Sequence, residues 1–281
     1  MNELRTLLTG RGLVESPRWP GVNPSNRLYF SDWSAGEVIA IDLDGNHEVV
    51  ATVASLPLCT AFLPDGTLLI VDSPNGKLLR QDLTTYADLG RPGWNDTAVD
   101  RWGNVYVNRA GFNPMAGESP KPGGVHVVTP DGTDGTVREV ADDIAFPNGM
   151  VVTGDTLIVA DSYRHTLLAF DTHQDGTLTN RRTWADLGTG TPDGICADAD
   201  GAIWYADVPN QWCQRVAEGG EVLDTIQLDR GGFACELGGP QGTTLFIVTA
   251  RWQGMTGPEP VVPGSGQVLS VDVAVPAKVR S

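Results

Sequence analysis

Pro192-Asp193-Gly194-Ile195-Cys196 runs into Asp198-Ala199-Asp200-Gly201-Ala202-Ile203-Trp204-Tyr205-Ala206-Asp207, and this stretch decides the fold. The second part reads as an Asp-Gly turn followed by a strand that ends in an acid, and the first sets a carboxylate on a tight turn just ahead of it. The same layout returns along the chain, at Asn26 to Asp32, Asp65 to Asp72, Gly103 to Asn108, Gly154 to Asp161, Asp200 to Asp207 and Gly242 to Ala250. Successive strand ends, at 32, 72, 108, 161, 207 and 250, are 36 to 53 residues apart, the period of a four-stranded propeller blade. A further strand follows most copies, as in Gly36 to Asp42, Gly76 to Arg80, Gly124 to Val128, His165 to Asp171 and Gly266 to Val271, and a fourth follows several, as in His47 to Ala51. The expected fold is all-β: one six-bladed β-propeller over residues 1–281, with four antiparallel strands per blade. The opening Glu3 to Leu8 is expected to pair beside Gln267 to Val273, closing the last blade and removing the free edges of the ring.

Composition agrees with many strands joined by turns. The 281 residues include 34 glycines and 19 prolines, and no long segment has helical apolar spacing. A net charge of −16 argues against a nucleic-acid or anionic-membrane partner, because no basic patch is available to release counterions. Met1 to Arg5 has no apolar core of signal-peptide length, and no stretch approaches a membrane span, so a cytoplasmic location and a monomer or weak homo-oligomer are expected. Cys59, Cys196, Cys213 and Cys235 lack Cys-x-x-Cys spacing and read as reduced thiols.

Alternating strand direction places the loops that lead into the innermost strands on one face, together with the loops joining second to third strands. The Asp-Gly hairpins (Asp65-Gly66, Asp131-Gly132, Asp200-Gly201) fall on the other face, where glycine supplies the positive φ of a tight turn. The six lead-in segments are Val14 to Pro17, Leu58 to Ala61, Gly93 to Asp96, Phe146 to Gly149, Thr191 to Gly194 and Phe233 to Glu236. Four of them carry an oxygen ligand: Glu15, Asn95, Asn148 and Asp193, at 17, 13, 13 and 14 residues before the following strand end. Similar distances on equivalent blades mean similar heights near the axis, so the four oxygens are expected to converge. An oxygen-only set with two negative charges suits a hard divalent cation, Ca²⁺ first, with Zn²⁺, Mn²⁺ or Mg²⁺ as alternatives. Taken singly, an Asn or Asp before Gly is more often a turn former and Glu15 a surface acid; recurrence at one blade position is what favours the cage. In blades 2 and 6, Thr60 with Cys59 and Ala234 with Cys235 read as pocket wall.

Same-face loops supply the rim. The candidate substrate contacts are Asn95, Trp94, Trp33, Thr60, Asn108, Phe112, Trp212, Arg251 and Trp252, an aromatic mouth suited to a flat or apolar acyl group. The plainer reading of several of these aromatics is packing between blades. The long Gly- and Pro-rich loops, Asn108 to Gly123 and Arg251 to Gly266, are candidate lids.

Gly12-Leu13-Val14-Glu15-Ser16-Pro17, Trp94-Asn95-Asp96, Phe146-Pro147-Asn148-Gly149, Pro192-Asp193-Gly194 and the run Gly239-Pro240 to Phe246 together resemble the gluconolactonase, regucalcin and senescence-marker-protein family, over essentially the whole chain. The resemblance implies that Glu15, Asn148 and Asp193 are metal ligands, that Asn95 contacts metal or substrate, and that a small-molecule lactone is opened with Asp193 as the proton acceptor. Sugar lactonases of the family carry an Arg two residues before the Asn that matches Asn95. Here Gly93 stands at that position and Arg91 is displaced, so the resemblance speaks less for a sugar lactone than for the fold and the metal site. Two competing readings stay open: a phosphotriesterase-type hydrolase, with Asp193 as nucleophile, and a non-catalytic calcium- or ligand-binding propeller.

Overall fold

The computed structural model describes residues 3–20, 26–130, 137–255 and 259–278. Six sheets of four antiparallel strands form six blades, and no α-helix is present among these residues; the one helical turn is the 3₁₀ segment Pro114–Ala116. The inner strands are Val14–Arg18, Thr60–Phe62, Trp94–Val99, Pro147–Thr153, Pro192–Ala197 and Gly231–Gly238. Each lies beside the next in cyclic order, and the sixth lies beside the first, so the sheets make a closed six-bladed β-propeller. No helix among the described residues is long and apolar enough to cross a membrane.

The ring is closed by its first strand. Arg5–Arg11 is the outermost strand of blade 6, antiparallel to Gly266–Asp272 with Arg5 opposite Ser270 and Leu8 opposite Val268. The partner is the expected one, and the strand runs three residues further than expected.

Period-two alternation buries both faces of most strands, and the apolar side chains segregate into the seams between blades. Leu13, Phe30, Phe246 and Val248 fill the seam of blades 6 and 1, Leu78, Trp94 and Val107 that of blades 2 and 3, and Ile158, Trp184 and Tyr205 that of blades 4 and 5. Because burial is satisfied in the seams, the axis is free for polar groups. Gly66 and Gly201 have φ of 87° and 83°, as the hairpins require; the Asp131-Gly132 hairpin lies outside the described residues.

The acids that end the second strands have a common use. Asp32 Oδ2 accepts the backbone N–H of Gly12 at 3.1 Å, Asp161 Oδ1 that of Phe146 at 3.0 Å, and Asp207 Oδ2 that of Thr191 at 2.7 Å. In blade 3 the substitute Asn108 accepts from Asp96 N at 3.2 Å. Each clamp fixes the chain within a few residues of Glu15, Asn95, Asn148 or Asp193.

Candidate functional site

The four oxygen-bearing residues sit inside the inner strands, where loops were expected. Strand register slips between Glu15 and Arg18, Trp94 and Thr97, Pro147 and Met150, and Pro192 and Ile195. A bulge at the start of a strand breaks its alternation and re-aims the extra side chain. The same device therefore recurs in four blades at the four candidate positions.

The glycines that follow Asn148 and Asp193 serve close approach. A Cβ on Gly149 would lie 2.4 Å from Asp193 O, and one on Gly194 would lie 2.2 Å from Ala234 Cβ. Neither glycine has a positive φ. The inner strands of blades 4, 5 and 6 touch backbone to backbone at this level, which draws Asn148 and Asp193 together.

Glu15, Asn95 and Asn148 line one small axial cavity of ≈ 10 Å³, together with Ser16, Arg18 and Cys59. Space on this scale admits about one water-sized particle. Asn95 Nδ2 lies 3.5 Å from Asn148 Oδ1, a long contact, and Asn148 Nδ2 lies 3.3 Å from Ser162 Oγ. Burial holds the Glu15 carboxyl well above the ordinary range, and repulsion from Asp193 adds to it. Asp193 is also raised well above the ordinary range by burial, while its hydrogen bond with Asn148 pulls the other way. Glu15 Oε2 accepts from Ser16 N at 3.0 Å, and Ser16 holds a left-handed φ of 51° that directs this bond.

Beneath the cavity lies a polar floor. Arg18 Nη2 donates to Asp96 Oδ1 at 2.6 Å, and the guanidinium also donates to the carbonyls of Thr60, Pro17 and Thr97 at 3.0, 3.0 and 3.1 Å. Asp96 Oδ2 accepts Met150 N at 2.8 Å. Asn108 Nδ2 donates to Asn148 O at 2.5 Å. Beyond Arg18 the axis widens to a cavity of ≈ 840 Å³ that opens on the hairpin face and is lined by none of Glu15, Asn95, Asn148 and Asp193. The larger space is thus separate from the four candidate oxygens.

Placement of the rim corrects several expectations. Trp94, Thr60 and Asn108 were read as substrate contacts, but all three are 0 % exposed. Trp94 packs in the seam of blades 2 and 3, and its Nε1 donates to Arg91 O at 2.5 Å. Thr60 is bonded to Ser16, its N–H reaching Ser16 Oγ at 2.8 Å, and both ends of the Asn108 amide are taken up by backbone groups. Phe112 joins Phe146 and Tyr163 in an aromatic group, with Phe146 and Tyr163 stacked at 4.7 Å. Trp252 is partly exposed and stands edge-on to Phe233, Arg251 is exposed, and Trp33 and Trp212 are half-buried. All four cysteines are free and buried, and burial pushes the Cys59 thiol up.

Sequence reading missed the floor, Arg18 and Asp96. The available signal was a pair of charged residues on innermost strands, each beside a candidate ligand and with no water to face. Among the described residues no group of three or more His, Cys, Asp or Glu is placed to hold a metal. A cage here would use two carboxylates and two amides. That oxygen-only donor set, with the Glu15 and Asp193 carboxyls both held above their ordinary range by desolvation, fits a hard divalent ion.

Six four-stranded blades around an axis lined with polar groups define a six-bladed β-propeller. The sequence profile of the SMP-30/Gluconolactonase/LRE-like region matches residues 13–251, and the chain belongs to that family. It is 26 % identical over 299 residues to the pentonolactonase XacC of Haloferax volcanii, covering 98 % of this chain and 95 % of that one. It is 26 % identical over 258 residues to regucalcin of Gallus gallus, covering 85 % and 83 %. The crystal structure of a calcium-binding protein, regucalcin, from Agrobacterium tumefaciens superposes with a TM-score of 0.78 at 20 % identity, covering 99 % of this chain and 96 % of that one. At that identity the likeness speaks for the fold.

Proposed function

We propose that the chain is a divalent-metal-dependent hydrolase that opens a lactone at the axial site. The observation that carries this reading is that Glu15, Asn95 and Asn148, from three blades, line one small cavity, while Asp193, from a fourth, bonds Asn148 and acts on the Glu15 carboxyl without itself lining that space. The lactonases among the relatives support the reaction class, and the relatives described as regucalcin support calcium. Glu15, Asn148 and Asp193 would hold the ion, with Asn95 beside them.

A divalent ion there supplies a Lewis acid for the ester carbonyl and offsets the charge of the two acids. The residues do the rest. Asp193 takes the proton from the attacking water as the new C–O bond forms, and returns it to the ring oxygen as the acyl C–O bond breaks, leaving a hydroxy acid. Asn95 is held only by a long contact, so its amide is free to donate to the lactone oxygens and orient them. Trp33, Phe112, Trp212, Arg251 and Trp252 would wall the ring and keep bulk water out.

A pH-stat panel of aldonolactones, aromatic lactones and homoserine lactones tests the reading. Turnover should vanish on chelation, return with Ca²⁺, Mn²⁺ or Zn²⁺, and be lost in Asp193→Ala. Full turnover by D193A, or no lactone opened by metal-loaded protein, would overturn it.

A further inference from the structure

Two arginines stand beside the site without a carboxylate partner. Arg109 ends the second strand of blade 3, Val105–Arg109, directly opposite Trp94, and Asn95 is the next residue. Arg91 lies in the segment leading into Trp94, which donates its indole N–H to Arg91 O. Arg91 Nη2 donates to His126 Nε2 at 3.0 Å, the His126 ring stands edge-on to Trp94 at 4.9 Å, and the Arg109 guanidinium lies 5.9 Å from the Trp94 ring centre. One indole thus organises both cations. Gly124 pairs with Arg109 on its other side, and the space over this glycine is taken by Ala141 O and the Glu139 carboxylate, 2.4 and 2.8 Å from where a Cβ would stand.

This arrangement is electrostatically costly as it stands. The chain carries 35 acids against 19 Lys and Arg, and eight other arginines each have a carboxylate oxygen within 4.0 Å. Among the described residues neither Arg91 nor Arg109 does; Glu139 acts on Arg109 only from further off. The two guanidiniums repel, and the charge of Arg91 adds to burial in pushing Arg109 down. His126 is 5 % exposed, and burial followed by the two cations brings it down to about 4, so it is neutral and accepts from Arg91. Its Nδ1 and the Nε of Arg109 are both buried without a hydrogen-bond partner. The cluster therefore carries two positive charges with no ion pair, and two of its polar nitrogens have no hydrogen-bond partner.

We propose that Arg91 and Arg109, with Arg91 oriented by His126, form a subsite for an oxyanion group carried on the substrate: a carboxylate, sulfonate or phosphate. The assignment rests on the reading of the axial cavity as the reaction site, and names the class of molecule that site takes. Neighbouring strands lie about 4.8 Å apart, so the third strand, which carries His126, is roughly 10 Å outward from the innermost one. A short charged arm on a lactone ring at the axis covers part of that distance, and the long arginine side chains are to cover the rest. Paired guanidinium forks suit the planar, two-oxygen face of such a group.

The test compares D-glucaro-1,4-lactone with D-glucono-1,4-lactone, which differ by a carboxylate in place of a hydroxymethyl. At low salt kcat/KM should favour the acid lactone by tenfold or more, and added salt should shrink the ratio. Arg91→Met and Arg109→Met should each bring the ratio tenfold closer to one, and R109K should keep part of it. A ratio near one in the unaltered protein, or the same ratio in both variants, would overturn the subsite. If neither lactone is opened, the lactonase reading fails for these compounds, and calorimetric titration with D-glucarate decides the subsite alone. Binding that weakens tenfold or more in R91M and R109M supports it, and no binding, or equal binding by all three proteins, overturns it.

Discussion

Arg18 Nη2 donates to Asp96 Oδ1 at 2.6 Å, joining the inner strands of blades 1 and 3 across 78 positions of sequence. Asp96 passes the link on to Met150 N in blade 4. Glu15, Asn95 and Asn148 stand on those same three strands, so the pair sets their spacing. Arg18→Met leaves Asp96 buried without its cation, which should cost about 3–5 kcal/mol. Thermal unfolding should show the loss, and calorimetric titration with Mn²⁺ should show weaker uptake. Adding Asp96→Asn should recover part of the stability, because the orphaned charge is gone.

Glu15 and Asp193 give the metal-free protein a pH dependence of definite sign. Both carboxyls are raised in the fold, by burial and, for Glu15, by its neighbour. The folded state thus binds more protons than the unfolded chain, and stability falls as pH rises from the ordinary carboxyl range towards the raised values. Glu15→Gln should flatten that fall and raise Tm at pH 7 by about 2–5 °C in the presence of chelator. Melting curves between pH 4 and 8 check it; a wild-type Tm that rises over this range without metal would contradict it.

Gly194→Ala pushes a methyl against Ala234 Cβ at 2.2 Å and Ala234 Cα at 2.6 Å, both in the neighbouring blade. Overpacking of this kind costs about 1–3 kcal/mol. The expected outcome is a lower Tm together with weaker metal uptake, since the strand that carries Asp193 must move. Ala234→Gly in the same chain should restore part of both, as it removes the Cβ contact and leaves the Cα one.

The fold was legible because each blade repeats local signals that need no partner: an Asp-Gly turn such as Asp65-Gly66, a β-branched run, and an acid such as Asp161 at its end. The candidate oxygens were legible for the same reason, as four returns of one position. What escaped was non-local. Gly149 and Gly194 read as turn glycines, but their requirement comes from strands 44 and 40 residues further on. Trp94, Thr60 and Asn108 read as mouth residues because their segments were placed at loops; a bulge follows Trp94, while Thr60 and Asn108 lie in regularly paired strands, and all three are buried. The Arg18–Asp96 pair joins residues whose nearness only the closed ring creates.

The convergence of Glu15, Asn148 and Asp193 on one ion is tested most directly by an anomalous difference map from a crystal soaked in Mn²⁺. The expected result is a single strong peak on the propeller axis, at roughly 2.0–2.6 Å from side-chain oxygens of all three residues. A map with no axial peak, or with the ion bound elsewhere and these oxygens bare, would contradict the account.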